Sequence, residues 1–231
     1  MLNSYCLRNK TGVTVRFSNL GGRIHAVEIP CGEDMINIIP GVSSLEDFLK
    51  QDPYMGALCG RYANRISKAS FKLEDKIYHL SQNDSGNHLH GGTEGFHLKH
   101  WNVREIENKD TPGYLLQYLS ADGEEGYPGN LNVKVFYVLN DLNELHIDIQ
   151  AVTDAPTIVN ITSHPYFNLK GYGDILDHTL TLFADTYCPV TNDLIPTGEL
   201  RKTAHSPFDL VNGKILSTVY SDTVSKGIDH N

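Results

Sequence analysis

The chain has 231 residues, 40% of them hydrophobic, including 12 Tyr and 8 Phe, which is enough apolar mass for one large domain with a substantial core. Its 19 basic and 28 acidic residues give a formal charge of −9, which argues against nucleic acid or an anionic membrane surface as the main partner. No apolar run approaches the roughly 20 residues needed to span a bilayer, and the opening M-L-N-S-Y-C-L-R-N-K has no basic stretch leading into an apolar one. A soluble cytoplasmic protein is expected. Cys6, Cys31, Cys59 and Cys188 form no CxxC pair and read as free thiols of a reducing compartment, where the sequons at Asn83 and Asn160 would be idle.

In chain order, the first local signal is Ser43 to Lys50, where a possible Ser N-cap precedes Leu45, Phe48 and Leu49 on one helical face. It is the only stretch that reads as helix. Phe71 and Leu73, the turn E-D-K, and Ile77 to Leu80 read as a hairpin. A second hairpin follows. Leu131, Val133, Val135, Tyr137 and Leu139 alternate with Asn132, Lys134, Phe136, Val138 and Asn140; after the turn N-D-L-N, Leu145, Ile147, Ile149 and Ala151 alternate with His146, Asp148 and Gln150. Thr179 to Phe183 is a further short β-rich run. Strands of this spacing, broken by Gly, Pro, Asn and Asp, predict an all-β protein, a large antiparallel β-sandwich forming a single domain over residues 1–231. The sequence stops at G-I-D-H-N with no closing strand, so it reads as a cut.

Three segments carry residue types suited to chemistry. His90 lies in N-H-L-H-G-G, His164 in S-H-P-Y-F-N-L, and G-R-Y-A-N-R-I places Arg61 and Arg65 around Asn64. Imidazole exchanges a proton near neutral pH, while guanidinium and carboxamide offer fixed donors to hydroxyl oxygens. Together they suggest acid/base chemistry on a neutral polar molecule. His88 and His90 at i, i+2 would share a strand face, and Gly91-Gly92 would let backbone approach a ligand closely. Pro165 biases His164 toward extended backbone, with Tyr166 and Phe167 placed to pack beneath its ring. Blander readings stand beside these: loop-edge or core histidines, and arginines in structural ion pairs. His88, His90, His97 and His100 could hold zinc, but their spacing matches no standard zinc signature, so no metal is expected.

Seven segments in order resemble the aldose 1-epimerase (galactose mutarotase) family: G-R-Y-A-N-R-I, L-H-G-G-T-E-G-F, D-G-E-E-G-Y-P-G-N-L, T-S-H-P-Y-F-N-L, Y-C-P-V-T-N-D-L-I-P-T-G-E, S-P-F-D-L and G-I-D-H-N. L-G-G-R-I (Leu20 to Ile24) resembles the family's first strand region. The resemblance implies a mutarotase-like β-sandwich lacking its C-terminal part, and cofactor-free interconversion of α- and β-aldoses. It implies His164 as general acid, His90 as a second donor near the ring oxygen, Asn64 and Arg65 as hydroxyl-binding residues, and Asp229 as a carboxylate accepting bonds from the sugar. Tyr127 would shape a loop wall. The family's glutamate base has no counterpart in this sequence, and Glu124 and Glu125 belong to a loop. Ser163 stands where the family usually has Asn, and Pro165 where a small residue is common. The absent base leaves a non-catalytic sugar-binding protein as an alternative, and a hexose-phosphate epimerase is another. The partner expected is a small aldose; oligomeric state is not legible.

Overall fold

The computed structural model describes residues 1–39, 47, 54–106 and 111–224, with main chain alone for 221–224. The helix expected over Ser43 to Lys50 lies outside these residues apart from Asp47, and so does Asp229. The chain forms two compact units, Met1–Phe167 and Asn168–Asn231.

The first unit is an antiparallel β-sandwich. One four-stranded sheet runs β1 (Ser4–Arg8), β2 (Thr14–Ser18), β3 (Ile24–Cys31) and β4 (Asp34–Asn37) in sequence order. Between the sheets in the chain come the short strands β5 (Leu58–Cys59), β6 (Arg65–Ile66), β7 (Ser70–Leu73), β8 (Lys76–His79) and β9 (His88–Leu89). The second sheet is β10 (Asn102–Glu105), β11 (Gly113–Ser120), β12 (Leu131–Leu139) and β13 (Leu145–Thr153), again as neighbours in order.

Strand β12 shows why the sandwich forms. Leu131, Val133, Val135, Tyr137 and Leu139 are buried, while the residues between them are exposed or half-buried. Side chains alternate across a strand, so one face of β12 enters the core and the other leaves it. They meet Leu7, Val15, Phe17 and Ile24 of the first sheet, along with Leu58, Phe96 and Trp101. Tyr137, fully buried, donates its hydroxyl to the Gly22 carbonyl at 2.8 Å and so links the layers. The β12–β13 hairpin is closed by Asn140, whose Oδ1 accepts from the amides of Leu142 and Glu144 at 2.9 and 3.0 Å. Asparagine favours turns for this reason. The hairpin expected from Phe71 and Leu73 with Ile77 to Leu80 is β7 paired with β8, which ends at His79.

The second unit carries two short ladders. β15 (Thr179–Leu180) pairs with β18 (Lys214–Ile215), and β16 (Thr186–Tyr187) with β17 (Arg201–Lys202). The run expected to reach Phe183 is a strand only at its first two residues, and Phe183 itself is 91% exposed. A helix not expected from sequence, α1 (Leu216–Val224), follows β18. Its L-S-T-V-Y-S-D-T-V is rich in β-branched residues, whose restricted χ1 lowers helix propensity, so the sequence carries no helix signal there. Among the described residues, no helix is long and apolar enough to cross a membrane.

Candidate active site

His164 follows β14 (Thr162–Ser163), which pairs with β5. Its amide donates to the Ala57 carbonyl at 2.9 Å, and its own carbonyl accepts the Gly56 amide at 2.7 Å. Because Leu58 on β5 is a fully buried core residue, the half-buried imidazole of His164 is anchored to the sandwich. Tyr166 lies against the ring, at 5.1 Å between centroids and 47°. Phe167 is 52% exposed and does not pack beneath it, contrary to the sequence expectation.

The β6–β9 ladder builds the opposing wall by pairing Arg65 with Leu89 and Ile66 with His88. One rung further, Asn64 and His90 bond to each other twice. The His90 amide donates to the Asn64 carbonyl at 3.1 Å, and the Asn64 amide donates to His90 Nδ1 at 3.0 Å. The rings of His90 and His164 stand edge to face, 5.2 Å apart at 89°. Tyr54 covers another side of His90 at 4.8 Å. Both histidines line a cleft of about 440 Å³ with Ala63, Asn64, Asn160, Thr162, Ser163 and Pro165. That volume is within the range of small-molecule sites. Asn160 braces the cleft: its amide donates to the Arg61 carbonyl, its carbonyl accepts from Ala63, and its Nδ2 donates to the Ala63 carbonyl at 3.2 Å. Arg65 is held beside the cleft through Nε on Asp84, at 2.7 Å.

Several sequence expectations change here. His88 and His90 do not share a face. β9 ends at Leu89, and His90 takes φ 51°, which turns it toward Asn64. His88 is fully buried, with Nδ1 2.8 Å from the Ser81 carbonyl and Nε2 2.6 Å from the Tyr127 hydroxyl. Burial holds its pKa below the ordinary imidazole value. Nor do the paired glycines admit a ligand. A Cβ on Gly91 would lie 1.6 Å from the Gly60 carbonyl oxygen, and one on Gly92 would lie 2.1 Å from Glu125. They let loops pack on one another.

Arg61 is 2% exposed and bonds to Ser120 Oγ and to the carbonyls of Ser120, Ala121 and Pro128, all at 2.8–2.9 Å. It is an internal strut, bound to carbonyls and a hydroxyl. Glu124 accepts from Tyr118 and Ser120, and Glu125 accepts from Ser81 and the amides of Thr93 and Glu94. Tyr127, 1% exposed, is wall and not a stacking platform. Asn160 is the cleft residue that sequence reading missed. Its only signal was its place two residues before T-S-H-P.

Two imidazoles in contact, bordered by amides and a tethered guanidinium on a β-sandwich, define a site suited to proton exchange with a polar, uncharged molecule. Comparison with known proteins agrees. The family model for aldose 1-epimerase matches residues 3–231, and the chain belongs to that family. The galactose mutarotase of Homo sapiens is 44% identical over 197 residues, covering 84% of this chain and 56% of that one. The aldose 1-epimerase of Escherichia coli is 35% identical over 230 residues, covering 97% and 66%. A crystal structure of galactose 1-epimerase from Lactobacillus acidophilus superposes with a TM-score of 0.88 at 30% identity, over 99% of this chain and 72% of that chain. The chain therefore spans little more than half the length of the mammalian relatives it matches.

Proposed function

We propose that this chain carries the acid half of an aldose 1-epimerase site, interconverting the anomers of a neutral hexose. The contact between His90 and His164 in one open cleft is the observation that carries the reading. Ring opening needs a proton delivered to the ring oxygen while the C1 hydroxyl loses one; the aldehyde then turns about C1–C2 and recloses. His164, half-buried and reachable from the cleft, is assigned delivery of that proton. His90 is assigned the neighbouring donor, and Asn64 and Arg65 the hydroxyl-binding roles, since a neutral sugar needs oriented partners to replace its water. Asp229 keeps its assignment by family resemblance alone. Among the described residues lining the cleft there is no carboxylate to take the C1 proton, and Glu124 and Glu125 are already committed to loop bonds. The two units are read as parts of one family domain, because the family match runs through both. Four free cysteines favour a reducing cytoplasm.

Polarimetry of fresh α-galactose and α-glucose tests this. Faster decay of rotation than in buffer supports the proposal. A folded protein that is stabilised by sugar yet leaves the rate unchanged is a binder, and one that prefers glucose 6-phosphate is a hexose-phosphate epimerase.

A further inference from the structure

Asn64 sits at φ 65°, a left-handed backbone that asparagine tolerates better than most residues. Its side chain turns back to accept the Arg65 amide on Oδ1 at 2.8 Å. Independently of that bond, its own main-chain N–H points at His90 Nδ1, 3.0 Å away. A nitrogen that accepts an N–H uses its in-plane lone pair, so the proton of the neutral ring must sit on Nε2. We infer that Asn64 acts through its main chain as a positioning residue, holding His90 as a standing Nε2–H donor. The consequence for catalysis rests on the epimerase reading; the proton's location does not.

Protonating Nδ1 would set two N–H groups head to head at the present 3.0 Å. His90 is 8% exposed, so water has little room to relieve that clash. Among the described residues, the rings of Tyr54 and His164 contact it, and Arg65 on the adjoining strand β6 is paired with Asp84. His88 supplies the contrast. Its Nδ1 faces a carbonyl and must donate, leaving Nε2 to accept from Tyr127. Two histidines separated by one residue are thus fixed in opposite tautomers by what their main-chain neighbours offer. His90 then gives a hydrogen bond without giving up its proton, and His164 is the imidazole left to exchange one.

Long-range ¹H–¹⁵N spectra of labelled protein, recorded across roughly pH 5–8 where histidines titrate, test the inference. His90 is assigned with His90→Gln, or by backbone-to-ring correlation should that variant not fold. His90 is expected to stay in the Nε2–H form throughout. An Nδ1–H ring, or an imidazolium forming with the ordinary midpoint of about 6.5, would overturn the inference. Asn64→Gly keeps both the left-handed backbone and the amide, and it is expected to preserve the tautomer. Loss of the Nε2–H form in that variant would mean that the carboxamide, and not the main chain, sets it. The spectra read this whether or not the protein turns over sugar, so failure here is separable from failure of the epimerase proposal.

Discussion

Arg61→Met removes a guanidinium that four acceptors share, two of its bonds being fully buried, both on Ser120. A buried acceptor left unpaired costs about 1–3 kcal/mol. Removing the charge also removes its desolvation penalty, which makes many buried-charge replacements neutral. Here the first effect wins, because a thioether cannot bond the Ser120, Ala121 and Pro128 carbonyls, and only the part-buried ones can recover water. The net loss is about 3 kcal/mol, or roughly 6–12 °C in Tm at about 2–4 °C per kcal/mol for a chain of this size. Arg61→Lys should lose about half as much, since one ammonium cannot span acceptors set around a planar fork. Urea and thermal unfolding measure both. A loss below about 1 kcal/mol for Arg61→Met would refute the strut assignment.

Arg65→Ala should lower stability, because its side chain is 6% exposed and its ion pair with Asp84 is lost, and should also leave the sugar Kd weaker by about tenfold from one lost charged hydrogen bond. Calorimetry showing unchanged affinity would remove Arg65 from the site. Acid stability should report His88. Desolvation lowers its folded pKa, so the unfolded chain binds more protons below about pH 6.5, and stability falls as pH drops from there through the folded value. The slope from this one proton is at most about 1.4 kcal/mol per pH unit. His88→Gln should flatten that limb in part, leaving the contribution of His25, whose pKa burial also lowers. An unchanged acid limb in the variant would contradict the burial argument.

The sandwich was legible wherever one side-chain face decides the outcome. Strand β13 alternates more cleanly in sequence than β12, whose outward set includes Phe136 and Val138, yet in burial β12 is the sharper, while β13, at the sheet edge, is only half-buried at Leu145, Ile147 and Ile149. Turn chemistry at Asn140 was equally readable, being local. What stayed hidden depends on contacts remote in sequence. Gly91 is required by a carbonyl 31 residues earlier, and Arg61 by a loop about 60 residues later. The same sequence spacing that suggested a shared face for His88 and His90 fails because the strand stops between them. The family segment L-H-G-G pointed to His90 in the cleft, while residue type and spacing alone do not separate it from the buried His88.

His164→Ala, assayed for anomer exchange at saturating sugar and for sugar affinity, is the most direct measurement. Proton delivery by this ring predicts a fall in kcat of about 10²–10⁴-fold with affinity little changed. A variant that keeps its kcat and loses only affinity would place His164 among the groups that hold the sugar and take the proton transfer away from it.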